Sequence, residues 1–403
     1  MRRGSVIAVI ALVSAVLGGA GSFLAVKVTG LGDTATSTVY VPTGAAGDLD
    51  SAGDESVAAG ARPLLGNGFQ PARIYAARSP GVVTVYAFFE HGDRHAAQGS
   101  GFVVSQRGYI LTSAHVITDA GDAAKISKAD RIFIGFKDGD RVKAEIVGWD
   151  AYDDVGLLRV APGPHTLTPV PLGDSSRVGA GDPVAAMGSP FGNEDSIAVG
   201  VVSATHRSIA SLTSGYKVVD AIQTDAPITH GNSGGPLFDA RGRVIGINAQ
   251  IRSDTGTAEG VGFAVPINAA QRSMRQLVAI GRVVYAYMGV TTETLTPTLA
   301  RHLGFEITRG AIVSTVRKGS PADRAGLRGG TREETFNGQT VAGGGDVIVS
   351  IDGRIMRSAD DVVRLVGEKL PGETAAVTVL RGGERRIVRV RFGSRPSEPD
   401  SNR

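Results

Sequence analysis

The strongest chemical signal in the sequence is a serine set among glycines, Gly231-Asn232-Ser233-Gly234-Gly235-Pro236. Glycine takes backbone conformations that a side chain forbids, so successive N–H groups can turn toward one point. The result is a cradle for a negatively charged oxygen beside a serine hydroxyl, which is what acyl transfer needs. A serine hydroxyl also needs a base to take its proton and an acid to orient that base. The chain has seven histidines. His115 ends the apolar run Tyr109-Ile110-Leu111-Thr112-Ser113-Ala114, a good place from which to present a side chain into a cleft. Asp154 opens a second apolar run, Val155-Gly156-Leu157-Leu158-Arg159-Val160. The chain order is then His115, Asp154, Ser233.

That order separates two hydrolase plans. Gly231 to Gly235 also satisfies the G-x-S-x-G pattern of a nucleophile elbow, but an elbow needs a helix directly after it and its acid and histidine later in the chain. Here Pro236 follows at once, then the strand-like Arg243-Val244-Ile245-Gly246-Ile247-Asn248, and the only later histidine is His302. His91 and His95 lie four apart in the polar stretch Glu90-His91-Gly92-Asp93-Arg94-His95, which reads as a loop without a third ligand. Neither a metal nor a cofactor is expected.

Six segments, in order, resemble the HtrA/Deg family of trypsin-like serine proteases with C-terminal PDZ domains. They are Gly99 to Val104, Thr112 to Val116, Asp154 to Leu158, Thr224 to Ile228, Gly231 to Leu237 and Gly262 to Pro266. The resemblance covers roughly residues 70–393 and implies Ser233 as nucleophile, His115 as general base and acid, and Asp154 as orienting acid. It places the oxyanion hole at Gly231, Asn232 and Ser233. It points to Ile228 and Ile251 as pocket-lining residues and to Gly262, Phe263 and Ala264 as an edge strand for the substrate backbone. Tyr287-Met288-Gly289-Val290 matches the loop that holds a peptide's C-terminal carboxylate. Two features depart from the family pattern. His230 precedes the oxyanion glycine, and the acid is doubled as Asp153-Asp154; Asp154 is preferred because it adjoins the apolar run.

The elements needed to position these residues are legible as short apolar runs with regular punctuation. Val82–Tyr86, Gly101–Val104, Tyr109–Leu111, Arg131–Phe136, Lys143–Trp149 and Gly156–Val160 read as one β-barrel. Pro183–Met187, Ser196–Ala204, Ala221–Thr224, Gly234–Phe238, Val244–Gln250 and Gly260–Pro266 read as a second. The expected fold is mainly β: a chymotrypsin-like double barrel followed by a PDZ domain, preceded by an N-terminal transmembrane helix. Helical spacing over Asn268 to Arg282 suggests a linking helix, and Arg328 to Gly345 a surface hairpin. Short helices are expected at Ser320 to Leu327 and Ser358 to Val366, the latter with its apolar residues toward the peptide groove. The division is 1–28 membrane segment or signal, 29–66 flexible linker, 67–268 protease domain, 269–283 linker helix, 284–393 PDZ domain and 394–403 tail.

Composition bounds the function. A length of 403 residues exceeds one ordinary domain, and 42% hydrophobic content supplies a core. The net charge of +3 does not argue for nucleic acid, and with no cysteine there is neither a disulfide framework nor a thiol nucleophile. Arg2 and Arg3 precede Ser5 to Val26, 22 uncharged and mostly apolar residues. At about 1.5 Å per residue a helix of that length crosses a bilayer core of about 30 Å. The arginines favour a cytoplasmic N-terminus, leaving the rest of the chain outside. A cleaved signal peptide, giving a secreted protein, is the alternative.

The resemblance implies as partners unfolded protein substrates, C-terminal peptides at the PDZ domain and further copies of the chain in a homotrimer or larger assembly; the apolar N-terminus adds the membrane. Phe69 and Tyr75 are the aromatic candidates for that assembly or for packing on their own barrel. A non-proteolytic chaperone or sensor and a tethered PDZ scaffold are the competing function classes.

Overall fold

A computed structural model describes residues 68–90, 96–119, 126–161, 163, 165–189, 196–211, 213–214, 217–228, 231–249 and 261–396. The expected membrane segment and linker, His91, His95, His230, Ile251 and most of the C-terminal tail lie outside these residues. Among the described residues no helix is long and apolar enough to cross a membrane.

Helix α1 (Pro71–Arg78) begins with proline, whose fixed φ suits a first helical turn. It lays Ile74 into the core beside Phe69, which is buried, and Tyr75, which is half-buried. Both aromatics therefore pack on their own chain, with the Lys137 ammonium 4.9 Å from the Tyr75 ring centroid.

Strands β1 (Val82–Phe88), β2 (Ala96–Val103) and β3 (Tyr109–Ser113), the single turn α2 (Ala114–Ile117), and strands β4 (Arg131–Gly135), β5 (Arg141–Asp150) and β6 (Val155–Val160) follow. The six strands close into a barrel in the order β1-β2-β3-β6-β5-β4. Val85, Ile110, Ile132, Ile134, Leu158 and Val160 fill its interior. Strands β7 (Pro183–Gly188), β8 (Ser196–Ala210), β9 (Lys217–Thr224), β10 (Pro236–Asp239), β11 (Val244–Ala249) and β12 (Gly262–Pro266) close a second barrel in the order β10-β11-β12-β9-β8-β7. Val184, Ile222, Leu237 and Ala264 lie in its core. A third cluster, with Phe102, Leu111 and Leu157 from the first barrel and Met187, Phe238 and Ile247 from the second, joins the two.

Helix α3 (Ile267–Ile280) starts directly after β12 and ends at Gly281 (φ +70), a left-handed C-cap. Its Ala269, Ala270 and Leu277 belong to the cluster that joins the barrels. The helix expected as a linker is thus part of the double-barrel core.

The C-terminal unit comprises β13 (Ala286–Tyr287), β14 (Val290–Leu295), α4 (Pro297–Leu303), β15 (Gly310–Val316), α5 (Pro321–Ala325), β16 (Arg332–Phe336), β17 (Gln339–Gly343), β18 (Val347–Ile351), β19 (Arg354–Ile355), α6 (Ala359–Gly367), β20 (Thr374–Arg381), β21 (Glu384–Arg391) and β22 (Gly393–Ser394). Its main sheet runs β14-β15-β18-β20-β21, with β19 on β18, while β13 pairs with β22. The β16–β17 hairpin turns at Asn337-Gly338, both at positive φ, as a two-residue hairpin loop favours. It is more than surface decoration, because Val341 is buried against Leu299, Ile312 and Leu380. Ser358 and Asp361 form a reciprocal cap at the start of α6. Val362, Leu365 and Val366 point into the core of the unit rather than into an open groove, because burial of that face holds the helix on the sheet.

Beneath the sheet, Asp346 is fully buried and takes two hydrogen bonds from Arg381, at 2.6 and 2.7 Å, and one from the Arg328 N–H at 2.9 Å. Asp346→Ala removes the carboxylate that Arg381 and the Arg328 N–H share, while the partly exposed guanidinium keeps its bond to the Gly326 carbonyl. The C-terminal unit is expected to lose about 2 kcal/mol of stability, measured as a shift of its urea midpoint.

Candidate active site

The three residues picked from chain order converge from separate elements. His115 sits on α2, the single turn that ends β3, and Asp154 sits on the turn between β5 and β6. Strands β3 and β6 are neighbours, pairing Ser113 with Val155, so their ends bring the two side chains together. His115 Nδ1 lies 2.7 Å from Asp154 Oδ2. The His115 N–H donates to Asp154 Oδ1 at 2.9 Å, and the Ala114 N–H donates to the Asp154 carbonyl at 3.2 Å. Asp154 has φ +54, a left-handed conformation that a non-glycine residue rarely adopts without tertiary support. The bonds to α2 supply that support. A carboxylate at Nδ1 orients the imidazole and makes Nε2 the nitrogen that can serve as base.

Ser233 stands on the turn before β10, in the second barrel. It is 5% exposed and its Oγ has no hydrogen-bond partner. Gly231 (φ +108) and Gly234 (φ +82) flank it. A Cβ on Gly234 would lie 2.4 Å from the Ser100 carbonyl oxygen, so the position admits only glycine. The Gly234 N–H donates to the Asn248 carbonyl at 2.8 Å, and the Asn248 N–H returns to the Gly235 carbonyl at 2.8 Å. The Asn248 amide, fully buried, donates to the Met187 and Pro236 carbonyls. Asn232 donates to the Pro227 carbonyl at 3.2 Å. The serine loop is thereby tied at both ends to the second barrel.

Ser100 ties the same loop to the first barrel. Its N–H donates to the Ser233 carbonyl at 2.8 Å, and its hydroxyl donates to the Gly231 carbonyl at 2.5 Å while accepting from the Ser189 N–H at 2.8 Å. In the sequence Ser100 stands only as part of the Gly99 to Val104 motif. The signal was there: a serine between glycines inside an apolar strand, where the missing side chains let another backbone approach.

Other expectations fare differently. Asp153, the rejected half of the acid pair, turns away from His115 toward Tyr285. Ile228 is half-buried against the core of the second barrel, close against Gly262. The edge strand expected at Gly262, Phe263 and Ala264 is corrected: β12 pairs with β9 over all three residues and with β11 at Phe263 and Ala264. A closed barrel leaves that strand no edge there. Strand β11, in contrast, pairs with β10 only as far as Ile247, so Ala249 is bare of a strand on its outer side among the described residues. In the C-terminal unit, Gly289 (φ +83) sits where a Cβ would come within 2.3 Å of Ser320. The Met288 and Gly289 carbonyls accept from the Ala322 and Arg317 N–H groups. These bonds fix the Tyr287–Val290 loop beside the free edge of β14.

Residues 99–247 match the trypsin-like peptidase domain family and residues 286–392 the PDZ domain family. The HtrA-type protease AlgW, solved with a tripeptide, is 32% identical; the match covers 81% of this chain and 98% of that one with a TM-score of 0.66. This chain belongs to the HtrA-type family of trypsin-like serine proteases. A serine endoprotease from Yersinia pestis aligns with a TM-score of 0.57 at 29% identity, over 81% of this chain and 98% of that one. A probable periplasmic DegP-like serine endoprotease from Hahella chejuensis is 39% identical over 74% of this chain and 58% of its own length. A second, from Ectopseudomonas mendocina, is 37% identical over 74% of this chain and 57% of its own length. The chain therefore spans under two thirds of these curated relatives.

Ser100→Ala leaves the part-buried Gly231 carbonyl and the buried Ser189 N–H without their partner. The expected cost is about 2 kcal/mol, seen as a lowered melting temperature of the double barrel with its β-sheet circular dichroism retained.

Proposed function

We propose that the protein is a serine endopeptidase acting through an acyl-enzyme. Ser233 Oγ attacks the scissile carbonyl, His115 takes the proton and returns it to the leaving amine, and Asp154 holds the imidazole in the required tautomer. The N–H groups of the Gly231-Asn232-Ser233 loop receive the oxyanion. The observation that carries this reading is the Asp154–His115 pair at 2.7 Å with an unpartnered, buried Ser233 Oγ on the facing loop. The absence of a Ser233–His115 hydrogen bond fits a resting arrangement that tightens when substrate binds, as catalytic contacts often do.

The substrates we propose are unfolded or damaged extracytoplasmic proteins, bound as an extended strand beside Ala249 with a side chain toward Ile228 and Ile251. The PDZ domain, residues 284–393, takes C-terminal peptides at Tyr287, Met288, Gly289 and Val290, adding them as a strand to the open edge of β14. Residues 1–28 form the membrane anchor and 29–66 the linker, the protease domain runs from residue 67 through helix α3, and the active form is a trimer or larger. Two findings support the location: the relatives' names describe periplasmic endoproteases, and the N-terminal sequence is apolar behind two arginines.

Purified protein is expected to degrade an unfolded protein faster than its folded form. Ser233→Ala and His115→Ala should each cut kcat by at least about 1,000-fold with the melting temperature unchanged. Asp154→Asn should cost a similar factor, whereas Asp153→Asn should keep turnover near that of the native chain. Undiminished cleavage by Ser233→Ala would remove the protease reading, and binding of unfolded protein without cleavage by the native chain would favour a chaperone.

A further inference from the structure

The turn that carries Asp154 is held by a second acidic group. Asp150, at the end of β5, is 1% exposed. Its Oδ1 accepts from the Tyr152 N–H at 2.9 Å and the Asp153 N–H at 3.3 Å. Its Oδ2 accepts from Ser273 on α3 at 2.6 Å and from the Tyr285 hydroxyl at 2.5 Å. The same Tyr285 oxygen lies 2.8 Å from Asp153 Oδ2. A phenol has one proton and both contacts are of hydrogen-bond length. If one carboxylate receives that proton, the other approaches Tyr285 oxygen to oxygen, a contact that a proton on its own carboxyl relieves. The two carboxyl groups are thus bridged by Tyr285, an arrangement that favours one acid proton between them.

Tyr285 lies one residue before β13, where the chain enters the PDZ domain. The far end of that domain returns to the same place. The Arg395 N–H donates to the Tyr285 carbonyl at 2.9 Å. Its guanidinium lies 4.9 Å from the Tyr285 ring centroid and 5.2 Å from that of Tyr152. The Tyr152 hydroxyl donates to the Pro396 carbonyl at 2.7 Å. From the second barrel, Ser211 and Thr213 donate to the Ala151 carbonyl. One five-residue turn, Asp150 to Asp154, therefore meets both barrels and both ends of the PDZ domain.

We propose that Asp150, Asp153 and Tyr285 form a shared-proton clamp that positions the Asp154 turn against the PDZ domain and loosens when its proton leaves. The positioning half rests on the catalytic role proposed for Asp154. Burial, then the charge of Asp153, pushes the Asp150 carboxyl up to about 6. Burial likewise raises Asp153. Burial and the two neighbouring carboxylates hold the Tyr285 phenol well above its usual range, so it stays protonated. The other charged groups facing the cluster are Arg272 on α3, Arg395, and Asp220 on β9, together with His206 on β8 and Arg364 on α6, which both bind Asp220. Arg272 and Arg395 offset part of the charge that develops when the proton leaves, and Asp220 adds to it. For an acid whose pKa is raised in the assembled state, proton binding favours assembly. The clamp is therefore tight at acid pH and weakens as pH rises from about 4 through about 6.

The chain has no cysteine, so Arg107→Cys and Arg385→Cys, both at exposed positions, allow specific labelling of barrel and PDZ domain for energy transfer. In full-length protein carrying Ser233→Ala, the ratio of undocked to docked molecules should rise about tenfold between pH 5 and pH 7.5. Asp153→Asn should flatten that response, because an amide satisfies Tyr285 at every pH. His206→Gln should leave it intact. A pH-independent signal in the parent, or a response lost with His206→Gln and kept with Asp153→Asn, overturns the clamp. In the Ser233 form, Tyr285→Phe should lower kcat about tenfold and move the acid limb of the pH profile. An unchanged kcat and profile overturn the positioning half. If the parent cleaves nothing, the protease reading fails, while the energy-transfer result stands by itself.

Discussion

The site depends on one seam, because its residues come from two barrels that share no strand. His115 and Asp154 belong to the first barrel and Ser233 to the second. Apolar burial across the joining cluster presses the barrels together, but such burial has no direction and sets no register. Register comes from Ser100, which bonds the carbonyls of Gly231 and Ser233 and receives the N–H of Ser189. Ser100, Ser189 and Ser233 are buried, so a slipped seam would leave several polar atoms without partners. The glycines at the seam follow from this closeness. A Cβ at Gly234 would collide with Ser100 and Thr112 of the first barrel, and one at Gly188 would meet the Ser100 hydroxyl as well as Asn232.

The acid turn obeys a related constraint. Asp154 is held at positive φ by its bonds to α2, while the preceding four residues are held by α3, by Ser211 and Thr213, and by both ends of the PDZ domain. Burying two carboxylates side by side is costly unless a proton or a cation accompanies them. This chain supplies a tyrosine, a serine and two arginines to that place. Such provision at the junction of three substructures suits a control point better than a plain scaffold, where apolar residues would be cheaper.

Much of this was legible in the sequence. Each of the twelve barrel strands contains or overlaps its expected apolar run, because strands packed on both faces, such as β7 and β11, read as short apolar segments set off by turn residues. The pairing of His115 with Asp154 rather than Asp153 followed from adjacency to an apolar run, since a residue at the mouth of a strand is placed by that strand. Three things were not legible. The role of Ser100 depends on a contact between residues about 130 positions apart. The loss of an edge at Gly262 to Ala264 depends on barrel closure, which a linear pattern does not encode. The Asp150–Asp153–Tyr285 cluster joins a turn to a segment whose approach is set by domain docking, and a lone aspartate at the end of a strand looks like any surface carboxylate.

The most direct test of the account is covalent capture of the nucleophile. A fluorophosphonate probe, applied with and without a hydrophobic C-terminal peptide and followed by peptide mass mapping, reads the reactivity of one hydroxyl against all others. The account predicts a single adduct on Ser233 that His115→Ala abolishes. No adduct on folded protein under either condition, or an adduct on another serine, would contradict it.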